Sequence, residues 1–184
     1  MTEQNDWELI EQTRAGDKYA YSELVRRYKS KVAATVFGMI GKCDEAEDIG
    51  QEVFIRFYNA INNFRGESAV GTYLCRIAIN LSLNEIKRKK VRNFLSFDKM
   101  LEDDAEIPDK GNLELFDEKG EIIRNAIAKL SAKYRSVIVL RLIEQYSTEE
   151  TAKILELPVG TVLSRLARAQ AQLKKYLQPY ISSL

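Results

Sequence analysis

Apolar residues recur every three or four positions along most of this chain, and that spacing limits what it folds into more than any other feature. Between Lys18 and Ile40 the series is Leu24, Val25, Tyr28, Val32 and Val36. A later series is Ile49, Val53, Phe57 and Ile61. No stretch alternates with period two, so no strand is predicted. Only three prolines occur, Pro108, Pro158 and Pro179, which leaves long helices uninterrupted. The spacing predicts a first helix from Asp6 to Ala15, stopped by Gly16, and a second from Lys18 to Ile40, stopped by Gly41. Asp44 with Glu47 three residues on predicts the start of a third. Ser68, after the loop Phe64-Arg65-Gly66-Glu67, is the expected cap of a fourth that reaches the basic run Lys87–Lys90. Periodicity is lost from about Asn93 to Lys119 and returns near Glu118. The fold class is therefore all-α: two small helical domains, 1–95 and 118–184, joined by an acidic flexible linker, 96–117.

Charge divides along the same lines. The net charge of +1 is the remainder of +2 over residues 1–97, −7 over 98–121 and +6 over 122–184. Such segregation suits a polyanion partner for the two ends, or simply a solvated linker between ordinary domains. Histidine is absent, which removes Ser-His and Cys-His triads and the usual zinc and di-iron ligand sets. Cys43 and Cys75, the two cysteines, have no zinc spacing and suit a reduced cytoplasm. No apolar run spans a membrane, and MTEQNDWELIEQ lacks the basic start and apolar stretch of a signal peptide. No cofactor or metal site is expected.

The sharpest local signal lies near the C-terminus. Ser147-Thr148-Glu149-Glu150 reads as a capping box opening a short helix from Thr148 to Leu155. Glu156-Leu157-Pro158 breaks it, and a second helix starts near Val159. Two short helices across a tight turn match a helix-turn-helix. At about 100° per residue, Val162, Leu166, Ala169 and Leu173 share the core side of the second helix. Thr161, Ser164, Arg165, Arg168 and Gln172 share another face with no carboxylate on it. Such groups suit base edges and phosphates; a generic basic surface helix is the plainer alternative.

Two further faces are candidates. Tyr73, Arg76, Asn80, Asn84 and Lys87 lie within about 80° on the fourth helix, leading into Lys87–Lys90 and Arg92. An aromatic beside amides and cations can hold single-stranded nucleic acid, and Phe64 is a second aromatic; an ordinary surface is the alternative. Asp44, Asp48 and Glu52, with Glu45, Glu47 and Gln51 nearby, make an acidic face on the third helix. It suits metal binding poorly without histidine, protein docking better, and a solvated surface equally.

The segments LVRRY, DEAEDIGQEVFIRFY, FRGES and YLCRIAIN closely resemble region 2 of the extracytoplasmic-function sigma factors of bacterial RNA polymerase, a branch of the sigma-70 family. STEETAKILELPVGTVLSRLARA resembles their region 4. The resemblance implies a non-enzymatic transcription initiation factor. Asp48, Gln51, Glu52 and Arg56 would dock on core polymerase at the β′ clamp, with the β flap as a further contact. Phe64, Ser68, Tyr73, Arg76, Asn80, Lys87 and Arg88 would recognise and melt the −10 promoter element, holding a flipped base. Thr161, Ser164, Arg165 and Arg168 would read the −35 element. An anti-sigma factor, of a kind that can be membrane-bound, is the further partner implied for a factor that is not itself a membrane protein. Several positions depart from the family pattern. Tyr73 replaces the usual Trp and Val70 a common aromatic; Thr151 replaces Ile; Leu163 occupies a frequent Lys or Arg position; Glu156 stands in place of the turn Gly, with strain of about 1 kcal/mol if its φ is positive. A repressor or activator that never meets polymerase would leave the acidic face and FRGES unexplained. A Mg²⁺-dependent nuclease using Asp44, Asp48 and Glu52 would lack an obvious general base.

Overall fold

Glycines bound the second helix as the spacing requires: Gly16 and Gly41 both take positive φ, +95° and +82°, where a side chain would be strained. The computed structural model describes residues 5–97 and 118–181. Its elements are α1 (Asp6–Arg14), α2 (Lys18–Ile40), α3 (Asp44–Ala60), a 3-10 turn (Ile61–Asn63), α4 (Val70–Phe97), α5 (Glu118–Ala128), α6 (Ala132–Ile138), a π turn (Val139–Ile143), α7 (Thr148–Leu155) and α8 (Val159–Ile181). The described residues contain no strand. The all-helical class holds.

Three local expectations shift. Cys43, not Asp44, holds the cap position of α3, so Asp44 sits inside the first turn with Glu45 and Glu47, where acids meet the positive end of the helix. Ser68 does not cap α4: the helix begins at Val70, and its Tyr73 N–H bonds to the Ala69 carbonyl at 3.1 Å. The same helix continues to Phe97, beyond the basic run. Most of the acidic segment expected as a linker lies outside the described residues.

Leu9 and Ile10 of α1, Leu24, Val32 and Val36 of α2, Val53 and Phe57 of α3, and Leu74 and Ala78 of α4 form one core. Asp6 fastens α1 to α2 through Arg27 at 3.2 Å and through the Tyr28 hydroxyl. A second core joins Ala126, Ile127, Leu130 and Ile138 to Ala169 and Leu173 of α8. Val137, Ala152 and Val162 extend it beneath α7.

A third core belongs to both units. Met39, Cys75 and Ile79 from the first pack with Val139, Leu140, Tyr146 and Ile154 from the second. The π turn prepares this contact. Its Glu144 N–H reaches back to the Val139 carbonyl at 2.9 Å, and Gln145 then turns at φ +58°. That leaves Val139 and Leu140 wholly buried while Leu142 is exposed. Polar links frame the apolar contact. Arg135 donates to the Met39 carbonyl at 2.5 Å, Lys31 lies 3.8 Å from the Glu144 carboxylate, and the Tyr146 hydroxyl donates to Cys75 Sγ at 3.3 Å. Gly38 is part of the fit: a Cβ there would lie 2.9 Å from a Val139 methyl. Each large apolar side chain buried in this way is worth roughly 1.5–3 kcal/mol, so the two units are held closed against each other.

Candidate nucleic-acid interface

In α7 and α8 the turn chemistry acts as its sequence suggests. The Ser147 hydroxyl accepts from the Glu150 N–H at 3.1 Å while the Ser147 N–H donates to the Glu150 carboxylate at 2.7 Å. Glu156 takes the left-handed conformation, φ +54° and ψ +48°, and the Leu157 N–H closes on the Ala152 carbonyl at 3.0 Å. The turn tips α8 so that Val162 and Ala169 are fully buried and Leu173 nearly so. Ser164 and Arg168 are exposed, and Thr161, Arg165 and Gln172 are half-buried. The Ser164 hydroxyl donates to the Thr161 carbonyl at 3.0 Å. Leu163 adds an apolar spot, 51% exposed, to a face that otherwise carries hydroxyls, guanidinium groups and an amide.

At the head of α4 lies a cavity of about 360 Å³, in the small-ligand range. Ser68, Tyr73 and Arg76 line it, together with Asn63, Arg65 and Thr72. Tyr73 is half-buried, its ring 5.1 Å from Phe64 and 5.9 Å from Phe57, both in tilted or edge-on contact. Phe64 is not the exposed stacking surface its loop position suggested. It is only 6% exposed, edge-on to Phe57 at 5.9 Å, and supports Tyr73 from beneath. Asn80, Lys87 and Arg88 are exposed further along α4, with Arg88 2.8 Å from Glu85. Arg76 is the exception to an open stripe: its Nη2 donates to the Lys153 carbonyl of α7 at 3.0 Å, and Lys153 lines the same cavity.

The loop owes its position to residues that periodicity did not single out. The Arg14 Nε donates to the Ile61 carbonyl at 3.0 Å, and Nη2 reaches the Phe64 carbonyl. Gly66 turns at φ +70°, and a Cβ there would lie 2.9 Å from the Trp7 ring. The signal available in the sequence was Gly66 inside an otherwise polar loop, which marks a close approach; it does not say what approaches.

On α3, Asp44, Asp48 and Gln51 are exposed, and Glu52 pairs with Arg56 at 2.8 Å. Lys89 lies 3.0 Å from Glu45 and holds that carboxyl down to about 2. The described residues contain no group of three or more Asp, Glu or Cys placed to hold a metal ion. Beside this face, Val25, Ala33, Phe37 and Phe54 line an apolar groove rimmed by Lys29, Glu47 and Gln51.

A helix-turn-helix whose second helix carries no carboxylate, attached to a second helical unit with a cavity at the head of α4, is the architecture of a transcription-class DNA-binding protein, and the relatives agree. Residues 24–92 match Sigma-70 region 2 and residues 120–173 match Sigma-70, region 4. The RNA polymerase sigma-H factor of Pseudomonas aeruginosa is 35% identical over 98% of each chain. The ECF RNA polymerase sigma factor SigW of Bacillus subtilis is 36% identical over 92% of this chain and 95% of that one, and the ECF RNA polymerase sigma-E factor of Escherichia coli is 37% identical over 98% and 99%. CnrH in complex with the cytosolic domain of CnrY shares the fold at a TM-score of 0.69 and 24% identity, over 95% of this chain and 97% of that one. The sigma factor RpoE in complex with the anti-sigma factor NepR from Bartonella quintana has a TM-score of 0.66 at 25% identity, over 86% and 96%. The chain belongs to the sigma-70 family, in its extracytoplasmic-function group, and serves promoter-specific transcription initiation by RNA polymerase. No helix among the described residues is long and apolar enough to cross a membrane.

Proposed function

We propose that residues 1–95 dock on core polymerase and open the −10 element, and that residues 118–184 read the −35 element across an acidic linker, 96–117. The factor performs no chemistry of its own and works in the cytoplasm. The observation that carries this reading is the cavity at the head of α4, whose wall of Asn63, Ser68, Thr72, Tyr73 and Arg76 belongs to the first unit and is uncovered for a base when Lys153 withdraws. Extrusion of a base costs a few kcal/mol. Stacking on Tyr73 and hydrogen bonds from Ser68 and Arg76 offset that cost, Phe64 holding the tyrosine ring in place, while Asn80, further along α4, meets the strand beyond the cavity. Lys87 and Arg88 attract the phosphates that follow. Thr161, Ser164, Arg165 and Arg168 face the major groove from α8. Asp48, Gln51 and Glu52 present the clamp-docking face, with Arg56 oriented by Glu52, and the second unit meets the β flap. An anti-sigma factor, soluble or membrane-bound, is the natural antagonist, since RpoE of similar fold is held by one.

The closed arrangement cannot read both elements. Arg76 touches Lys153 at 3.0 Å, and the chain from Lys153 to Arg165 reaches at most about 43 Å even if fully extended. Elements centred at −10 and −35 are about 85 Å apart along B-form DNA. The two units therefore separate before both elements are engaged, and Arg76 is released by the same movement. Run-off transcription with core polymerase on fully paired and pre-melted templates tests the assignment. Tyr73→Ala is expected to impair the paired template much more than the pre-melted one. Equal loss on both, or no loss on either, would remove the cavity from the mechanism.

A further inference from the structure

A second cavity adjoins the first on the other side of the loop. Trp7, Arg14, Asn62, Asn63, Phe64 and Arg65 line it, and the last three belong to both cavities. We propose that it is a second subsite for single-stranded DNA, in which the indole of Trp7 stacks on the nucleobase adjacent to the extruded one. The inference rests on the assignment of the first cavity to a flipped base.

The platform is built from both sides of the loop. Trp7 is 46% exposed and lines the cavity. Two neighbours hold the ring: Gly66, whose missing Cβ lets the ring sit 2.9 Å from where that atom would be, and the Arg14 guanidinium, 5.4 Å from the ring centroid. Arg14 is itself bonded to the carbonyls of Ile61 and Phe64. An aromatic surface that is rigid before binding loses little freedom when a base lands on it. The side chains of Asn62 and Asn63 are exposed and offer donors and acceptors for a base edge. Arg65, exposed on the rim common to both cavities, stands where the phosphate linking two consecutive nucleotides would pass. Glu11 pairs with Arg14 at 2.6 Å, which weakens the pull of that guanidinium on a phosphate. Stacking, not phosphate attraction, then dominates at Trp7.

The experiment uses holoenzyme assembled with the full chain and a fluorescently labelled single-stranded oligonucleotide carrying the non-template −10 sequence. Trp7→Ala is expected to weaken binding by about 5- to 150-fold, the range for loss of one base-stacking contact. Trp7→Phe should retain most of the affinity, and Trp7→Leu, which fills the space over Gly66 without a π face, should not. The salt dependence should be unchanged by Trp7→Ala and lowered by Arg65→Ala. An abasic site at the nucleotide beside the extruded base should weaken wild-type binding and have no further effect on Trp7→Ala. That non-additivity is absent if Trp7 only braces the loop. Full affinity of Trp7→Ala, or additive losses with the abasic site, would overturn the subsite while leaving the first cavity's role intact. Failure of wild-type holoenzyme to bind the oligonucleotide would overturn both.

Discussion

Replacing Gly38 by Ala should open the two units while strengthening the helix that carries the change. Gly38 lies within α2, where alanine is favoured over glycine by about 1 kcal/mol. Its new Cβ, however, would sit 2.9 and 3.2 Å from the two Val139 methyl carbons and 3.3 Å from the Ile143 Cδ1. Val139 is completely buried and, being β-branched, cannot easily turn aside. Overpacking of this kind costs about 1–3 kcal/mol, all of it charged to the closed state. The ratio of open to closed chains should rise by about 5- to 150-fold. Cys75 reports that ratio: it is fully buried in the shared core beneath Tyr146, and burial pushes its thiol pKa up. In a Cys43→Ser background the rate of Cys75 alkylation should rise by the same factor, while the helical signal is kept. If Cys75 reacts no faster although α2 is unperturbed, separation at this interface is the wrong description. Local loosening of α2 cannot mimic the expected result, because alanine acts on it in the opposite sense.

Glu156→Gly should stabilise the helix-turn-helix by about 1 kcal/mol, because glycine adopts the left-handed turn without strain; a calorimetric melt checks it, and an unchanged or lowered Tm would count against strain at φ +54°. Glu144 faces the Lys31 ammonium, the Thr35 hydroxyl, the Cys75 thiol and the Tyr146 phenol, and burial raises its pKa despite Lys31. A raised carboxyl pKa favours the closed form when protonated, so closure should weaken as pH rises through that value. Glu144→Gln should keep the chain closed across that range, as small-angle scattering would register; identical profiles for the two proteins would refute the linkage.

How far the sequence reached depended on what each residue had to do locally. Gly16 and Gly41 stop helices by their own backbone freedom, Ser147 and Glu150 complete a cap within four residues, and Glu156 had to replace a turn glycine. Those features were legible because their partners lie close by along the chain. Phe64 was misjudged because an aromatic in a polar loop looks the same from sequence whether it faces solvent or Phe57. The shared core was out of reach for a different reason. On α4, Leu74 and Ala78 serve the first core while Cys75 and Ile79 serve the third. A helix buried on two sides has apolar residues spread around its girth, and periodicity then cannot assign them to separate neighbours. Of the candidate site, the Tyr73 stripe and the α8 face were visible as patterns; Arg14, Trp7 and Lys153 enter only through contacts distant in sequence.

The bond from Arg76 to the Lys153 carbonyl bears on dosage. On the role proposed for Arg76, a guanidinium engaged inside the molecule is withheld from DNA, and the apparent affinity of the free factor is its intrinsic affinity multiplied by the fraction of chains that are open. At one open chain in a hundred, a hundredfold excess of factor over its intrinsic dissociation constant would only half-fill a promoter. Synthesis of more factor is then a feeble signal by itself, whereas any partner that prefers the open chain amplifies it in proportion to that preference. Were core polymerase that partner, as proposed above, promoter occupancy would follow the supply of free polymerase, and a burst of expression without it would pass almost unread.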